Sequence, residues 1–343
     1  MVMTVPPASN TPPSPSCRVL CVGAAVLDTL FRVRSLPTGQ GKLLPYDMLQ
    51  VAEGMASSAA FAVARLGGSA SLWAAVGGDA TGERLIADLS KSGIDTSGMV
   101  LVEGARSAVS TILVDDQGER LIVPFYDACL HHTVKPVTAQ DVSSFDAVLV
   151  DVRWPELALQ SLLAAREARK PAILDGDVAS DGVIEMLAPA ASHIVFSQPA
   201  AERLAGSADL VEVVGLLKRR FPHAFISVTA GEKGSFWFDD ATGGIFHLAA
   251  PQVTVVDTLA AGDIFHGAFA LGTAEGMPIG ETMRLASMAA ALKCQVFGGR
   301  IGAPTRAEVG AALLDWSARG LAVLPNGPAL EIAECSQTQS RLF

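Results

Sequence analysis

The chain has 343 residues, half of them hydrophobic and 17% charged, enough for one large α/β domain or two smaller ones and too apolar for wholesale disorder. Its formal net charge of −10 disfavours nucleic acid and anionic membranes as partners, although a few Lys or Arg residues can reverse the field inside a cleft. Mean hydropathy is high at +0.38, yet no run approaches the ~18 uncharged apolar residues of a membrane span.

The first 16 residues, MVMTVPPASNTPPSPS, lack a basic stretch and an apolar stretch, so they read as a disordered tail and not as a signal peptide. Residues 17–325 read as one domain. Its first short apolar run, at 17–23, ends in Gly and reads as a buried strand. Similar runs recur at Ala70–Val76, Ala147–Val150, Ala172–Leu174, His193–Phe196 and Phe225–Val228. Helical patterns lie between most of them, at Ser57–Leu66, Gly82–Lys91, Leu157–Arg169 and Leu210–Arg220. Strands alternating with helices predict a central, mostly parallel sheet with helices on both faces.

Two stretches break the alternation. Residues 29–52 hold short apolar segments around LPTGQGK, and residues 105–126 hold two β-branched runs joined by DDQGE, a hairpin signal. Together they predict a small antiparallel β-sheet lid. From Val253 a strand-like VTVV leads into DTLAAGD and then an Ala-rich helical region to about Gln295. Residues 326–343 read as a loose polar tail. The five cysteines form no CxxC pair and read as thiols of a reducing cytoplasm. His131-His132 has no carboxylate or Cys spacing to support a metal site.

The segment Asp257-Thr258-Leu259-Ala260-Ala261-Gly262-Asp263 places small residues at a helix start. Free N–H groups at the positive end of a helix dipole suit an anion such as a phosphoryl group. A carboxylate in the first turn, Asp263, can take a proton from an incoming hydroxyl. An ordinary helix start with Asp263 complementing the dipole would read the same. His266, one turn further on, either tunes Asp263 or is a packed, satisfied residue.

DTLAAGD resembles the DTxGAGD signature of the ribokinase-like (PfkB) carbohydrate kinases. VGAAVLD, the run Ala64–Met99 and VTAGEKGS resemble further family segments, in the family's order, over about Arg18–Arg306. The resemblance implies a ribokinase-like α/β fold and transfer of the γ-phosphoryl group of ATP to a sugar hydroxyl. It implies Mg2+ and, in this family, a monovalent cation such as K+. Asp263 would be the catalytic base, and the amides of Ala261, Gly262 and Asp263 the anion hole. Ala260 stands where the family has Gly, which is tolerable only if that residue avoids positive φ. Asp28 would bind sugar hydroxyls. Thr229, Gly231 and Gly234 would form the ATP loop, and Ser287 and Ala291 the adenine pocket. Gly298-Gly299-Arg300 resembles the loop bordering adenine and the monovalent cation.

Departures accompany these matches. The first signature has Glu53-Gly54 and Ser58 where the family has Gly-Gly and Asn, so Gly54 and Ser58 carry altered sugar contacts. The Asn-x-x-Glu motif becomes Ser197–Ala200, which leaves Ser197 as the nucleotide-side residue. LVDVRWPE, ILDGD and ALKCQVFGGRIGAP resemble the sulfofructose kinase branch, in which Lys42 and Arg153 would bind an anionic group of the substrate. Pro124 stands where that branch has Asn and offers neither amide nor N–H. The expected substrate is a small sugar, an anionic ketose or sugar acid included, and the expected assembly a homodimer through lid strands. Other readings are a nucleoside kinase and a catalytically weak protein that senses a sugar or nucleotide.

Overall fold

The computed structural model describes residues 16–131, 136–316 and 322–323; His132 and the terminal segments read above as tails lie outside the described residues, apart from Ser16. The first strand, β1 (Arg18–Gly23), is followed by β2 (Val26–Arg32), β3 (Asp47–Glu53), α1 (Met55–Arg65), β4 (Ser69–Gly77), α2 (Ala80–Lys91) and β5 (Val100–Val102). A second hairpin, β6 (Val109–Val114) and β7 (Arg120–Phe125), leads to α3 (Ala139–Val142), β8 (Ala147–Val150), α4 (Pro155–Glu167), β9 (Ala172–Gly176) and α5 (Val183–Leu187). Next come β10 (His193–Ser197), α6 (Gln198–Ala205), α7 (Leu210–Arg220), β11 (Phe225–Thr229), β12 (Ser235–Asp239) and β13 (Gly244–Leu248). The last elements are α8 (Ala261–Ala274), α9 (Ile279–Lys293), α10 (Arg306–Trp316) and β14 (Ala322–Val323).

A ten-stranded sheet runs β14-β13-β12-β11-β10-β9-β8-β1-β4-β5. It is parallel from β11 to β5, and β12, β13 and β14 continue it antiparallel. Its strands are continuous apolar runs because both faces are covered. On β1, Leu20 and Val22 join the core beneath α4, with Leu162, and further along the same face α7 adds Val213 and Leu217. Val19 and Cys21 point the other way, into Ala59 of α1 and Phe265 and Phe269 of α8. Side chains alternate along a strand, so one run of six residues feeds two cores.

The lid is a separate four-stranded sheet, β3-β2-β6-β7. Its two hairpins are antiparallel, but β2 and β6 join in parallel, with Asp28 opposite Ser110. The all-antiparallel lid expected from the sequence is therefore wrong at its central pair. Each hairpin is encoded locally, whereas the join is set by where α1 through β5 return the chain. Leu30, Val51, Ile112 and Val114 form its small core, and every residue of β7 is exposed. Its root is pinned by Asp79, which caps α2 through the Gly82 amide (2.8 Å) and also accepts the Ser107 hydroxyl (2.6 Å) and amide (2.9 Å). The VTVV stretch is not a strand: Val256 and Asp257 give their N–H groups to the Cys294 carbonyl, not to a ladder.

Candidate active site

Helix α8 begins at Ala261 after a left-handed residue, Ala260, at φ 61° and ψ 6°. The condition set by the sequence, that Ala260 avoid positive φ, is not met; the turn keeps the backbone shape of a Gly and bears the Cβ strain. The Ala261 N–H is already donated to the Thr258 carbonyl at 3.3 Å. The expected three-amide hole is thus reduced by one: among the described residues, the N–H groups of Gly262 and Asp263 have no acceptor. A Cβ built on Gly262 would meet nothing within 4 Å, so open space lies over this amide pair.

Asp257 anchors the turn. Its carboxylate accepts the amides of Leu259 (2.8 Å), Gly298 (3.0 Å) and Gly299 (3.0 Å) and pairs with the Lys293 ammonium at 3.1 Å. Burial alone would raise its carboxyl; the ammonium and these amides outweigh that and hold it below the usual carboxylate range.

Asp263 is half-buried, and no described residue donates a hydrogen bond to its carboxylate. Burial first, then the charges of Asp175 and Glu53, raise its carboxyl well above the ordinary range; His266 opposes the rise and Asp177 adds to it. A carboxylate moved towards neutrality is a better proton acceptor at working pH. His266 itself is buried and satisfied: Nδ1 lies 2.7 Å from the Gly262 carbonyl, and Nε2 lies 3.1 Å from the Val195 carbonyl and 3.3 Å from Asp175.

On one side of the turn lies a cleft of about 620 Å³. Thr229, Gly231, Gly234, Ser287 and Ala291, expected at the nucleotide, all line it with Ala261 and Gly262. Gly234 sits at φ 88°, where a Cβ would come within 2.0 Å of the Leu248 carbonyl, so β12 enters only past a Gly. The Ser235 hydroxyl, buried and without a partner among the described residues, is part of the wall. Such an orphaned polar group, with two free amides nearby, fits a polar, anionic ligand such as ATP. Among the described residues no three His, Cys, Asp or Glu side chains stand at metal-binding spacing. A Mg2+ accompanying ATP would be carried by the phosphates and water. Ser197 is not in the cleft wall; its hydroxyl donates to Asp177 at 2.7 Å. Sequence reasoning also missed Arg120, which reaches the cleft from lid strand β7 and donates to the Thr258 hydroxyl.

The remaining candidate residues lie on or beside the lid. Asp28 is buried, accepts the Ser110 hydroxyl at 2.7 Å, and is pushed up to about 6 by burial, which that bond opposes. Glu53 is raised to about 7 by burial, with Ser58 and the Arg300 amide opposing and Asp28 adding to the rise. Ser58, expected at the sugar, spends its hydroxyl on Glu53 at 2.5 Å. Gly54 serves backbone geometry: at φ 111° it lies so near the Ala24 carbonyl that a Cβ would approach to 2.5 Å. Pro124 faces Ser110 across the lid, and Tyr126 follows just past the end of β7. Tyr126 is 41% exposed, but the surroundings of its phenol push it up to about 12, by burial first, with Arg153 opposing and Asp151, Asp28 and Asp263 adding to the rise, so it lies near those charges. Tyr126 carried no motif signal in the sequence; its closeness to Arg153, Asp28 and Asp263 in the fold reveals it. Arg153 is held by Asp177 at 3.4 Å, its amide donating to Asp151 at 2.8 Å. Lys42 is exposed on the β2–β3 loop and makes no ion pair with a described residue.

Residues 17–306 match the family described as pfkB family carbohydrate kinase. The crystal structure of a protein from Agrobacterium tumefaciens, provisionally named a ribokinase, is 60% identical with a TM-score of 0.87, covering 89% of this chain and 100% of that one. Ribokinase from Lactococcus lactis subsp. lactis is 26% identical over 309 residues, 86% of this chain and 97% of its own. Arabidopsis thaliana ribokinase, solved with ribose and ATP, shares the fold at a TM-score of 0.75 and 22% identity, over 88% of this chain and 99% of that one.

Proposed function

The chain belongs to the pfkB family of carbohydrate kinases, phosphotransferases with an alcohol acceptor, and from that premise we propose that it phosphorylates a hydroxyl of a small neutral sugar at the expense of ATP. One observation carries the reading: the turn at 260–263 lines the cleft with its small residues and places the Asp263 carboxylate beside a cluster of acids. Ala261 and Gly262 line the cleft, while the charges of Glu53 on β3 and of Asp175 and Asp177 at the end of β9 act on Asp263. Asp263 takes the proton of the acceptor hydroxyl. The Gly262 and Asp263 amides take up the charge on the moving phosphoryl group. Asp28 and Tyr126 bind sugar hydroxyls, and Arg120 brings positive charge from the lid to the cleft. Bound Mg2+ supplies neutralisation of the phosphates.

A neutral acceptor is favoured by the charge around it. Asp28, Glu53, Asp151, Asp175, Asp177 and Asp263 crowd the lid side, and Arg153 is already shared with Asp177. The sulfofructose kinase likeness keeps an anionic ketose or sugar acid as the second reading, resting on Arg153 and Lys42. Tyr126 gives a nucleoside acceptor a ring to stack on. The test is ATP consumption with ribose, fructose, a sulfonated ketose, a sugar acid and adenosine. The reading expects the highest kcat/KM with a neutral sugar. A higher value for an anionic sugar or a nucleoside overturns the acceptor class, and binding of ATP with no turnover on any sugar would leave a sensor.

Met48, Leu121 and Val123 are exposed on lid strands β3 and β7, which supports a homodimer formed through the lids. No helix among the described residues is long and apolar enough to cross a membrane. Free Cys17, Cys21, Cys129 and Cys294, together with ATP as a substrate, suit a cytoplasmic location.

A further inference from the structure

The family resemblance brings a monovalent cation such as K+ to the loop that borders adenine, beside the catalytic turn. The residues of this chain do not fit one there. Lys293, the last residue of α9, turns its side chain inward until it is fully buried. Its Nζ lies 2.7 Å from the Asp257 carbonyl and 3.1 Å from the Asp257 carboxylate. Asp257 is itself fully buried, and its remaining valence is spent on amides from both the catalytic turn and the 298–299 loop. One carboxylate and one ammonium balance. A second cation would put an uncompensated charge where water does not reach, which is costly.

We infer that Lys293 is a built-in cation: its ammonium supplies the positive charge that ties α9 and the 298–299 loop to the catalytic turn, so the protein needs no monovalent cation. Lys293 is a positioning residue. It acts through Asp257, which orients Leu259 and hence the turn that carries the Gly262 and Asp263 amides. The same network reaches the lid, because Arg300, next in the loop, gives its amide to Glu53 at 2.7 Å.

The inference rests on the kinase reading only for its effect on turnover, so its test has two readouts. Thermal unfolding and ATP-dependent sugar phosphorylation are each followed in KCl, NH4Cl and tetramethylammonium chloride at one ionic strength. The wild type is expected to melt at the same temperature and turn over at the same rate in all three. Lys293→Ala, which opens room for a small ion, is expected to lose turnover by roughly tenfold or more, since it strands a buried carboxylate. K+ or NH4+, but not tetramethylammonium, should restore both its melting temperature and part of its rate. A wild type that K+ stabilises or activates selectively overturns the inference. So does a folded Lys293→Ala protein indifferent to every small cation. If that variant does not fold, the wild-type series decides alone. If no sugar is phosphorylated under any salt, the kinase reading fails while the melting curves still judge the built-in cation.

Discussion

The catalytic turn and the lid are built in opposite ways. The buried carboxylate of Asp257 takes three amides and one ammonium, so that a single side chain fixes two loops. The lid has an apolar core of four buried residues and an edge strand with no buried residue. On the proposed mechanism, the atoms that hold the phosphoryl group sit in the first region, where opening costs most. The atoms proposed to choose the acceptor sit partly in the second, where local opening is cheap. The two meet at Glu53, at the end of β3, which accepts an amide from the 298–302 segment and a hydroxyl from α1.

The sharpest way to break this division is to remove the base from the rigid side. Asp263→Asn should lower kcat by roughly 10²–10⁴, the usual range for losing a general base, while ATP affinity survives. In the parent, Asp263 as the proposed base works only when deprotonated. Its raised carboxyl therefore moves the acidic limb of the kcat/KM profile upward, with activity climbing as pH rises through a range above that of ordinary carboxylates. A variant with parental turnover, or an acid limb near that of a free aspartate, would remove Asp263 from the chemistry.

The next effect tests the junction. Glu53 has a folded-state value of about 7 against an ordinary 4.5, so the folded protein holds this proton more tightly than the unfolded chain does. Stability is then fully present below pH ~4.5 and falls as pH rises towards 7, by about 3 kcal/mol for such a shift. Glu53→Gln should flatten that slope in urea titrations at pH 5 and pH 8. A slope retained in the variant would assign it to other groups.

These sites differ in how far the sequence revealed them. The parallel core was legible because strands covered on both faces are unbroken apolar runs, as at Val19–Val22. The cleft residues were legible because a Gly forced into place by a near carbonyl, such as Gly234, leaves a fixed mark in a motif. Lys293 was not. A Lys in the last turn of a helix complements the dipole wherever it points, and its partner lies 36 residues away. Tyr126 and Arg120 were hidden for a similar reason: nothing local states that β2 pairs with β6, the join that places β7 and the residue after it beside the site. Ala260 and Ala261 show the opposite limit, since the motif located the turn but not its left-handed residue or the amide already spent on Thr258.

On the lid side, Asp28→Asn should raise the KM for the sugar, weakening kcat/KM by roughly 10- to 150-fold, as expected for loss of a hydrogen bond to a charged group. The loss should fall chiefly on the sugar and leave the KM for ATP near the parent value. An equal rise in the KM for ATP would mean that lid and cleft are not separate, and the comparison above would lose its basis.

The smallest effect concerns the rigid side's own strain. Ala260 holds a left-handed conformation that costs an L-residue about 1–2 kcal/mol, while a Gly there would pay about 0.5–1 kcal/mol more in chain entropy on folding. Ala260→Gly should therefore stabilise the protein by about 0.5–1 kcal/mol, seen as a higher urea midpoint with an unchanged m-value. The sign matters more than the size. A gain shows that the Asp257 network overrides the local preference of Ala260 and forces the turn. A loss shows that the Ala260 methyl is supported by its surroundings, and that the turn is shaped by packing as much as by the buried carboxylate and its ammonium.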